Sequence, residues 1–228
     1  MSTNAQDNRP LGTHTSTQCS TRANLHRQRR KTLGNVSIYD LISSTIKPYG
    51  LAYQGCIMII CTTDRLIIRH VHIGDVTAFC QLFGDPEVMR YGDGAQERPW
   101  VEAWLHTTLA RYHQHWGFGP YAVTLRATAT LIGYCGLFYV DDVNGRPEIE
   151  IGYRLIQSAW GQGYASEAAQ AVATYATTTL GITRLIAMID PSNVASIRVA
   201  QKLGMHYEAE VMFDGYTHPD HVYTNSAT

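Results

Sequence analysis

The sequence has no closely spaced cysteine pair and no long apolar segment, and both absences restrict what the protein can be. Its five cysteines, at positions 19, 56, 61, 80 and 135, include no C-x-x-C pair, so we expect neither a disulfide framework nor a bound metal. The longest apolar run, 55–61, has the length of a strand, far below the roughly 18 residues that a membrane helix needs. These features predict a protein of a reducing, cytoplasmic compartment.

Positive charge is scarce in most of the chain. Of the 18 basic and 19 acidic residues, seven and two fall in residues 1–57, which leaves 11 basic and 17 acidic residues for 58–228. An acidic domain cannot neutralise the phosphates of a nucleic acid. The balance therefore makes residues 58–228 a poor candidate for nucleic-acid binding and is better suited to a cationic substrate.

The first 57 residues differ in composition from the rest. Residues 1–35 are rich in Ser, Thr, Asn, Gln and Arg and contain few apolar residues to bury, so we expect them to be disordered. The basic run 27–31 is typical of an interaction tail or a targeting segment, although a solvated tail is the simpler interpretation. We predict a basic extension over 1–57, with one short helix within 36–53, and a globular domain over 58–228.

Hydrophobic periodicity in the domain predicts alternating strands and helices. The expected strands are Leu66–Arg69, Gly119–Leu125, Leu131–Val140, Glu148–Ile156 and Arg184–Ile189, with a hairpin loop at Asp141–Gly145. The expected helices are one capped by Asp75 and ending at Phe83, one from Pro99 to about His113, one over Gly161–Leu180, and one from Asn193 to Gly204. A strand, helix and strand in succession should make a parallel pair. The fold class is therefore α/β, with a mixed, mostly antiparallel sheet.

Two glycines open the helix that follows the strand 148–156. Gly161 and Gly163 allow a tight turn, and the free N–H groups of the helix end then form a site for phosphate. A P-loop is excluded because no Gly-Lys-Ser/Thr follows, and a Rossmann site is disfavoured because no acidic residue lies near position 182. A glycine turn that binds no ligand is the alternative.

The segment Trp160-Gly161-Gln162-Gly163-Tyr164-Ala165 resembles the acetyl-CoA motif Q/R-x-x-G-x-G/A of the GNAT superfamily of N-acetyltransferases, with Trp at the first position. Three further stretches resemble the branch that contains the ribosomal-protein N-terminal acetyltransferases. They are Asp64–Arg69, Asp85–Tyr91 and Asn193–Met205. The resemblance covers about three-quarters of the chain in the family's order. It implies a GNAT fold with a central splayed pair of parallel strands and a function as an acetyl-CoA-dependent N-acetyltransferase.

The resemblance also implies which residues bind acetyl-CoA. The pantetheine arm would lie along the strand at Tyr153, Arg154 and Leu155, and Asn193 would reach it from the last helix. Arg198 would contact the adenosine phosphate, or it is simply a solvated helix residue. The pyrophosphate would bind to the glycine turn and first helical turn, at Gly161, Gln162, Gly163, Tyr164, Ala165 and Ser166.

Acetylation of an amine requires a base, because the ammonium form must lose a proton before it attacks the thioester. Glu150 and Glu148 lie on one face of the strand that would carry the thioester, and Glu150 matches the family's E-I-G-Y position better. A solvated face is the alternative for either glutamate. The family's acidic Tyr is replaced here by Ala200, so Ser196 is the expected proton donor.

Two rival interpretations remain open at this point. The first is a non-catalytic acyl-CoA-binding module, and the second gives the basic tail the main role in docking to RNA. A homodimer is possible, and the acceptor could be a protein N-terminus, an antibiotic amine, a polyamine or an amino acid. The histidine pairs His70/His72 and His113/His115 are more typical of surface or core positions than of a metal site. Trp100, Trp104 and Trp116 are more typical of the core than of an acceptor pocket.

Overall fold

A computed structural model describes residues 58–114, 117–214 and 216–226. Eight strands lie within these ranges: β1 (Ile59–Thr62), β2 (Leu66–Arg69), β3 (Pro120–Leu125), β4 (Leu131–Val143), β5 (Arg146–Leu155), β6 (Ile186–Ile189), β7 (His206–Val211) and β8 (Asp220–Thr224). The α-helices there are α1 (Val76–Phe83), α2 (Pro86–Met89), α3 (Arg98–Gln114), α4 (Tyr164–Thr178) and α5 (Val194–Lys202). The extension 1–57 and its predicted helix lie outside the described residues.

The strands form one sheet in the order β1-β2-β3-β4-β5-β6-β8-β7. Every neighbouring pair is antiparallel except β5 and β6, which are parallel. The predicted mixed α/β sheet is therefore confirmed. Strands β7 and β8 were not predicted from the sequence, because their alternation of polar and apolar residues is short and interrupted.

The parallel pair separates almost as soon as it forms. Glu150 lies opposite Ile186, whereas β5 continues to Leu155 while paired with β4, whose Gly133 lies opposite Leu155. β6 has only four residues, all buried. Since the last residues of β5 have β4 on one side only, their other edge faces a gap between β5 and β6. This gap is the splay that the family resemblance implied.

The helices cover the two faces of the sheet. Small side chains on α4 are fully buried, as predicted, which lets that helix lie close to the strands. On the other face, aromatic residues of α1 and α3 pack together, with Phe79 and Phe83 at 5.0 Å and 4.9 Å from Trp104 between ring centroids. None of the described helices is long and apolar enough to cross a membrane.

Two local predictions were wrong. Asp75 does not cap α1, because its carboxylate binds Arg69 and accepts from the His72 N–H, and no side chain caps that helix. The expected loop at 141–145 is shorter, since β4 continues to Val143 and only Asn144 and Gly145 turn the chain. Both have positive φ, at 55° and 90°, as a two-residue hairpin turn requires.

Candidate functional site

A cleft of about 1630 Å³ opens where β5 and β6 separate. Its walls come from β4 and β5, the beginning of α4, one face of α5 and one face of α3. A volume above the roughly 300–1,000 Å³ of an ordinary ligand pocket has room for more than one small molecule. The cleft thus joins the glycine turn to the aromatic side of the sheet.

The glycine turn has the geometry of an anion-binding site. Gly161 and Gly163 have φ of 73° and 82°, in the left-handed region that side chains with a Cβ disfavour. Helix α4 begins at Tyr164, and no side chain caps its first turn. The N–H groups of this turn have no helical acceptor and lie at the positive end of the helix dipole. They are therefore available to an anionic ligand in the cleft.

Arg65 fastens this turn to the beginning of the sheet. Its Nη1 donates to the Gln162 carbonyl at 2.9 Å, and its Nε donates to Glu167 Oε2 at 2.7 Å. The guanidinium also lies 4.5 Å from the ring centroid of Tyr164. Arg65 is about a hundred residues away along the chain, and nothing in the local sequence indicated this contact. We call the set Arg65, Gln162, Tyr164 and Glu167 the arginine clamp.

The clamp depends on an ionised Glu167. Burial by itself would raise the pKa of Glu167, but hydrogen bonds from Thr63 and Arg65 outweigh it and lower the pKa below the ordinary 4.5. Glu167 lies in the first turn of α4, where the helix dipole also favours a negative charge. The carboxylate therefore stays charged at neutral pH and holds Arg65 beside the glycine turn.

The two candidate glutamates on β5 occupy different environments. Glu150 is half-buried, lines the cleft and accepts from the Met188 N–H of β6 at 3.4 Å, so its carboxylate lies at the point where the strands part. Glu148 is 6% exposed and does not line the cleft. Its oxygens bind Arg184 at 2.8 Å and Arg146 at 2.7 Å. Only Glu150 is positioned to meet a ligand in the cleft.

A second polar group in the cleft joins β5 to α5. The Tyr153 hydroxyl donates to Ser196 Oγ at 3.1 Å, and Asn193 Oδ1 accepts from the Ser196 N–H at 3.2 Å, which caps α5. Burial raises the pKa of Tyr153, although the hydrogen bond to Ser196 opposes the shift. Tyr153 thus keeps its proton well above neutral pH. The Ser196 hydroxyl proton remains free to donate into the cleft.

The opposite side of the cleft is aromatic. Trp100 and Trp104 of α3 contact Phe83, and Trp104 lies 5.7 Å from Tyr134 between ring centroids. Tyr134 in turn lies 6.2 Å from Phe138. These rings line the cleft as well as the core. Trp100 and Trp104 were predicted from the sequence to be core residues, and they also face the space for a ligand. Trp116 lies outside the described residues.

Most of the predicted site residues meet in this cleft. Its lining includes Glu150, Tyr153, Arg154, Leu155, Gly161, Gly163, Tyr164, Ala165, Ser166, Asn193, Ser196 and Arg198. Gln162 is outside the lining, and its side chain donates to the Ser158 carbonyl at 2.6 Å. The Trp160 indole donates to the Leu155 carbonyl at 2.8 Å, whose second lone pair can still serve a ligand. Sequence reasoning missed Arg65, Arg111, Tyr134 and Phe138.

No group of three or more metal-ligating side chains occurs within the described ranges. His70 instead stacks on Tyr112, with 3.9 Å between ring centroids, and His72 accepts from the Gly74 N–H. The pair His113/His115 is beyond the side chains that the structure describes.

Comparison with known proteins agrees with this geometry. Residues 65–206 match the family model of the acetyltransferase (GNAT) domain. The uncharacterized protein YkkB of Bacillus subtilis (strain 168) is 35% identical over 150 residues, which are 65% of this chain and 86% of YkkB. The uncharacterized N-acetyltransferase p20 of Bacillus licheniformis is 32% identical over 152 residues, 64% of this chain and 82% of p20.

Solved structures share the fold. An acetyltransferase from Agrobacterium tumefaciens (strain C58) is 26% identical, with a TM-score of 0.62 over 78% of this chain and 98% of its own. A coenzyme A complex of RimL, a ribosomal L7/L12 α-N-protein acetyltransferase, is 20% identical, with a TM-score of 0.61 over 73% of this chain and 96% of its own.

Proposed function

Since this chain belongs to the GNAT acetyltransferase family and is an acetyl-CoA-dependent N-acetyltransferase, we propose that it acetylates a primary amine by direct attack of the amine on the thioester. One observation carries the proposal. The cleft joins the uncapped start of α4, the diverging edge of β5 and the carboxylate of Glu150. An anionic donor, a thioester and an amine can therefore meet in one space.

The chain offers acetyl-CoA a cradle that fits its chemistry. The N–H groups from Gln162 to Ser166 would bind the pyrophosphate, next to the positive charge of Arg65. A Cβ built on Gly161 meets nothing within 4 Å, so the space before the turn is open to a ligand. The backbone of Tyr153 and Leu155 would hold the pantetheine arm along the free edge of β5, and Asn193 and Arg198 would contact it from α5.

Glu150 would act as the general base. An amine of ordinary pKa is protonated at neutral pH, and only its neutral form has the lone pair that attacks the thioester carbon. The Glu150 carboxylate, directly or through a water molecule, would accept the proton as the new C–N bond forms. A backbone N–H near Tyr153 would stabilise the oxyanion.

Ser196 would protonate the departing thiolate. Its hydroxyl accepts from the Tyr153 hydroxyl, so Tyr153 can return a proton to Ser196 as Ser196 gives its own to sulfur. A thiol of pKa near 8.5 leaves readily without a strong acid, which explains how Ala200 can replace the family's Tyr. Tyr153 acts in this scheme through Ser196.

The test is release of free coenzyme A from acetyl-CoA in the presence of a panel of amines. We expect amine-dependent release, together with a rise in melting temperature on addition of acetyl-CoA. At a hundredfold excess over the dissociation constant, binding stabilises the fold by about 2.7 kcal/mol. The absence of any thermal shift at millimolar acetyl-CoA would exclude the proposal.

The non-catalytic acyl-CoA-binding module that the sequence left open is the alternative to this proposal. The same assay separates the two functions. A thermal shift with acetyl-CoA but no coenzyme A release, with every class of amine in the panel, would support the non-catalytic module.

A further inference from the structure

Arg111 is a cation that lines the cleft. It is half-buried on the face of α3 that lines the cleft. Among residues 58–114, 117–214 and 216–226, no carboxylate pairs with it, and burial lowers its pKa with no neighbouring charge to oppose the shift. Arg184 shows the contrast, since hydrogen bonds from its guanidinium to Glu148 raise its pKa. A partly desolvated guanidinium is stabilised by a carboxylate, which it binds in bidentate geometry.

Arg111 and Glu150 lie on two walls of one cleft, Arg111 on α3 and Glu150 on β5. The helix follows β4, because Trp104 contacts Tyr134, and the Tyr112 hydroxyl donates to the carbonyl of Pro120, which lies opposite Gly136. Arg111 precedes Tyr112 on this helix, and its side chain lines the cleft. Glu150 is directly opposite Phe138 on the sheet side of the cleft. The guanidinium and the proposed base therefore belong to the helix wall and the sheet wall of one cleft.

An aromatic surface lies beside these two charged groups. The Phe138 ring covers Gly152, where a Cβ would come within 3.2 Å of its Cε2 atom. Tyr134 and Trp104 continue the surface away from Phe138. An apolar group that binds here would bury area against three rings, each of which gains from contact with another aromatic group.

We propose that the acceptor is a free α-amino acid with a bulky apolar side chain. Its carboxylate would bind Arg111, its amine would give a proton to Glu150, and its side chain would pack on Trp104, Tyr134 and Phe138. This inference rests on the proposed amine acetylation at the same cleft. The amine and carboxylate of an α-amino acid share one carbon, which suits a base and a guanidinium on facing walls.

The acidic residues of the cleft do not favour a polycation over this acceptor. Five of them are exposed, so that solvent and salt screen their charge, namely Glu87, Asp93, Asp141, Asp142 and Asp214. The half-buried Asp190 accepts from Ser192. A polyamine would leave Arg111 without an anion and would bring a second cation toward it. Arg154 adds another positive charge at the end of the cleft where Tyr134 lies. Among the described polar atoms, the hydrogen bond of its guanidinium goes to the Met89 sulfur, which does not neutralise the charge.

The experiment compares kcat/KM for L-phenylalanine, L-phenylalaninamide, 2-phenylethylamine and spermidine, each corrected for its fraction of neutral amine. We expect L-phenylalanine to exceed the amide and the amine by at least about tenfold, in the range that hydrogen bonds to a charged group provide. Arg111→Met should reduce this ratio to about one, and Arg111→Lys should restore part of it. Melting temperatures of both variants show that they are folded.

Arg98→Met is the matched control. Arg98 lies on the same helix, pairs with Glu102 at 2.9 Å and does not line the cleft, so this variant should keep the ratio. Equal values for the three phenyl compounds, a preference for the amide, or a ratio that Arg111→Met leaves unchanged would overturn the inference. If coenzyme A is released with spermidine but with none of the phenyl compounds, the inference is overturned and amine acetylation stands. If none of the four amines causes release of coenzyme A, the proposed function itself is overturned.

Discussion

Glu148 and Glu150 point to the same face of β5, and the residues around them give the two carboxylates different roles. Glu148 is enclosed by Arg146 and Arg184, with Glu208 as a fourth member of the ion-pair cluster. Its oxygens are occupied by these guanidinium groups, and it does not line the cleft. Glu150 lines the cleft and accepts from the Met188 N–H, which is the position that the proposed base requires.

We predict that Glu150→Gln lowers turnover by about 10²–10⁴-fold, because a positioned general base contributes that much to proton transfer. The affinity for acetyl-CoA should be nearly unchanged, since the amide has the shape of the carboxylate and binds no phosphate. Coenzyme A release measures the first quantity, and the thermal shift with acetyl-CoA measures the second.

The matched change Glu102→Gln removes a carboxylate from the outer face of α3 and should leave turnover intact. Glu148→Gln should lower the melting temperature, because the buried Glu148 carboxylate is the shared partner of Arg146 and Arg184. Wild-type turnover in the Glu150→Gln enzyme would show that Glu150 is not the base.

At the scale of elements, the arginine clamp joins the β1–β2 turn to α4. Arg65→Met would remove both hydrogen bonds and the contact with Tyr164, so the glycine turn would sample other conformations before it binds a ligand. We expect the dissociation constant of acetyl-CoA to rise about tenfold, which corresponds to about 1.4 kcal/mol. Isothermal titration calorimetry with acetyl-CoA measures this change directly.

Arg126→Met is the control for this element. Arg126 donates to the Thr63 carbonyl of the same turn at 2.9 Å but does not contact the glycine turn. Its removal should affect stability without a comparable loss of acetyl-CoA affinity. An unchanged dissociation constant for Arg65→Met would mean that the glycine turn keeps its conformation without the clamp.

At the scale of the whole molecule, acidic pH should destabilise the fold. The pKa values of Glu167, Glu208 and Asp190 are lowered from ordinary values of 4.5, 4.5 and 3.8. A carboxyl group with a lowered pKa in the folded state contributes stability above its unfolded pKa and loses it as the pH falls through the folded pKa. The free energy of unfolding should therefore be constant near neutrality and fall progressively below about pH 4.5.

Urea denaturation at a series of pH values checks this expectation. Glu167→Gln removes one of the contributing groups, so its stability should depend less steeply on pH in the acidic range. An unfolding free energy that stays constant from pH 5 to pH 3 would contradict the assignment of these ion pairs to the folded state.

Deletion of residues 1–57 should leave the melting temperature and acetyl-CoA binding essentially unchanged. Ordering this segment would cost about 1–2 kcal/mol of backbone entropy per residue, and its composition offers few apolar side chains to offset that cost. If residues 38–46 instead dock as a helix over the acceptor cleft, the truncated protein would melt several degrees lower or lose its preferred amine. Thermal shift and an amine panel on both proteins distinguish these outcomes.

Elements that are marked by a sequence pattern within one segment were predicted well. Elements that depend on pairing with distant segments were missed. Helix α4 was foreseen because the glycines, the small-residue stripe and the terminal Gly181 all lie within one segment. Strands β7 and β8 were missed because each is short and becomes stable only by pairing with the other and with β6. The cap of α1 was wrongly assigned to Asp75, since Arg69 competes for that carboxylate once β2 is in place.

The sequence by itself determined the family, the parallel strand pair and the glycine turn before an uncapped helix. Each of these depends on residues that are neighbours in the chain, because positive φ at Gly161 and Gly163 and free N–H groups at a helix end are local consequences of composition. Only the tertiary structure decided which glutamate faces the cleft and that Arg111 lines it from α3. Those properties depend on contacts between segments tens of residues apart, and these form only when the strands take their order in the sheet.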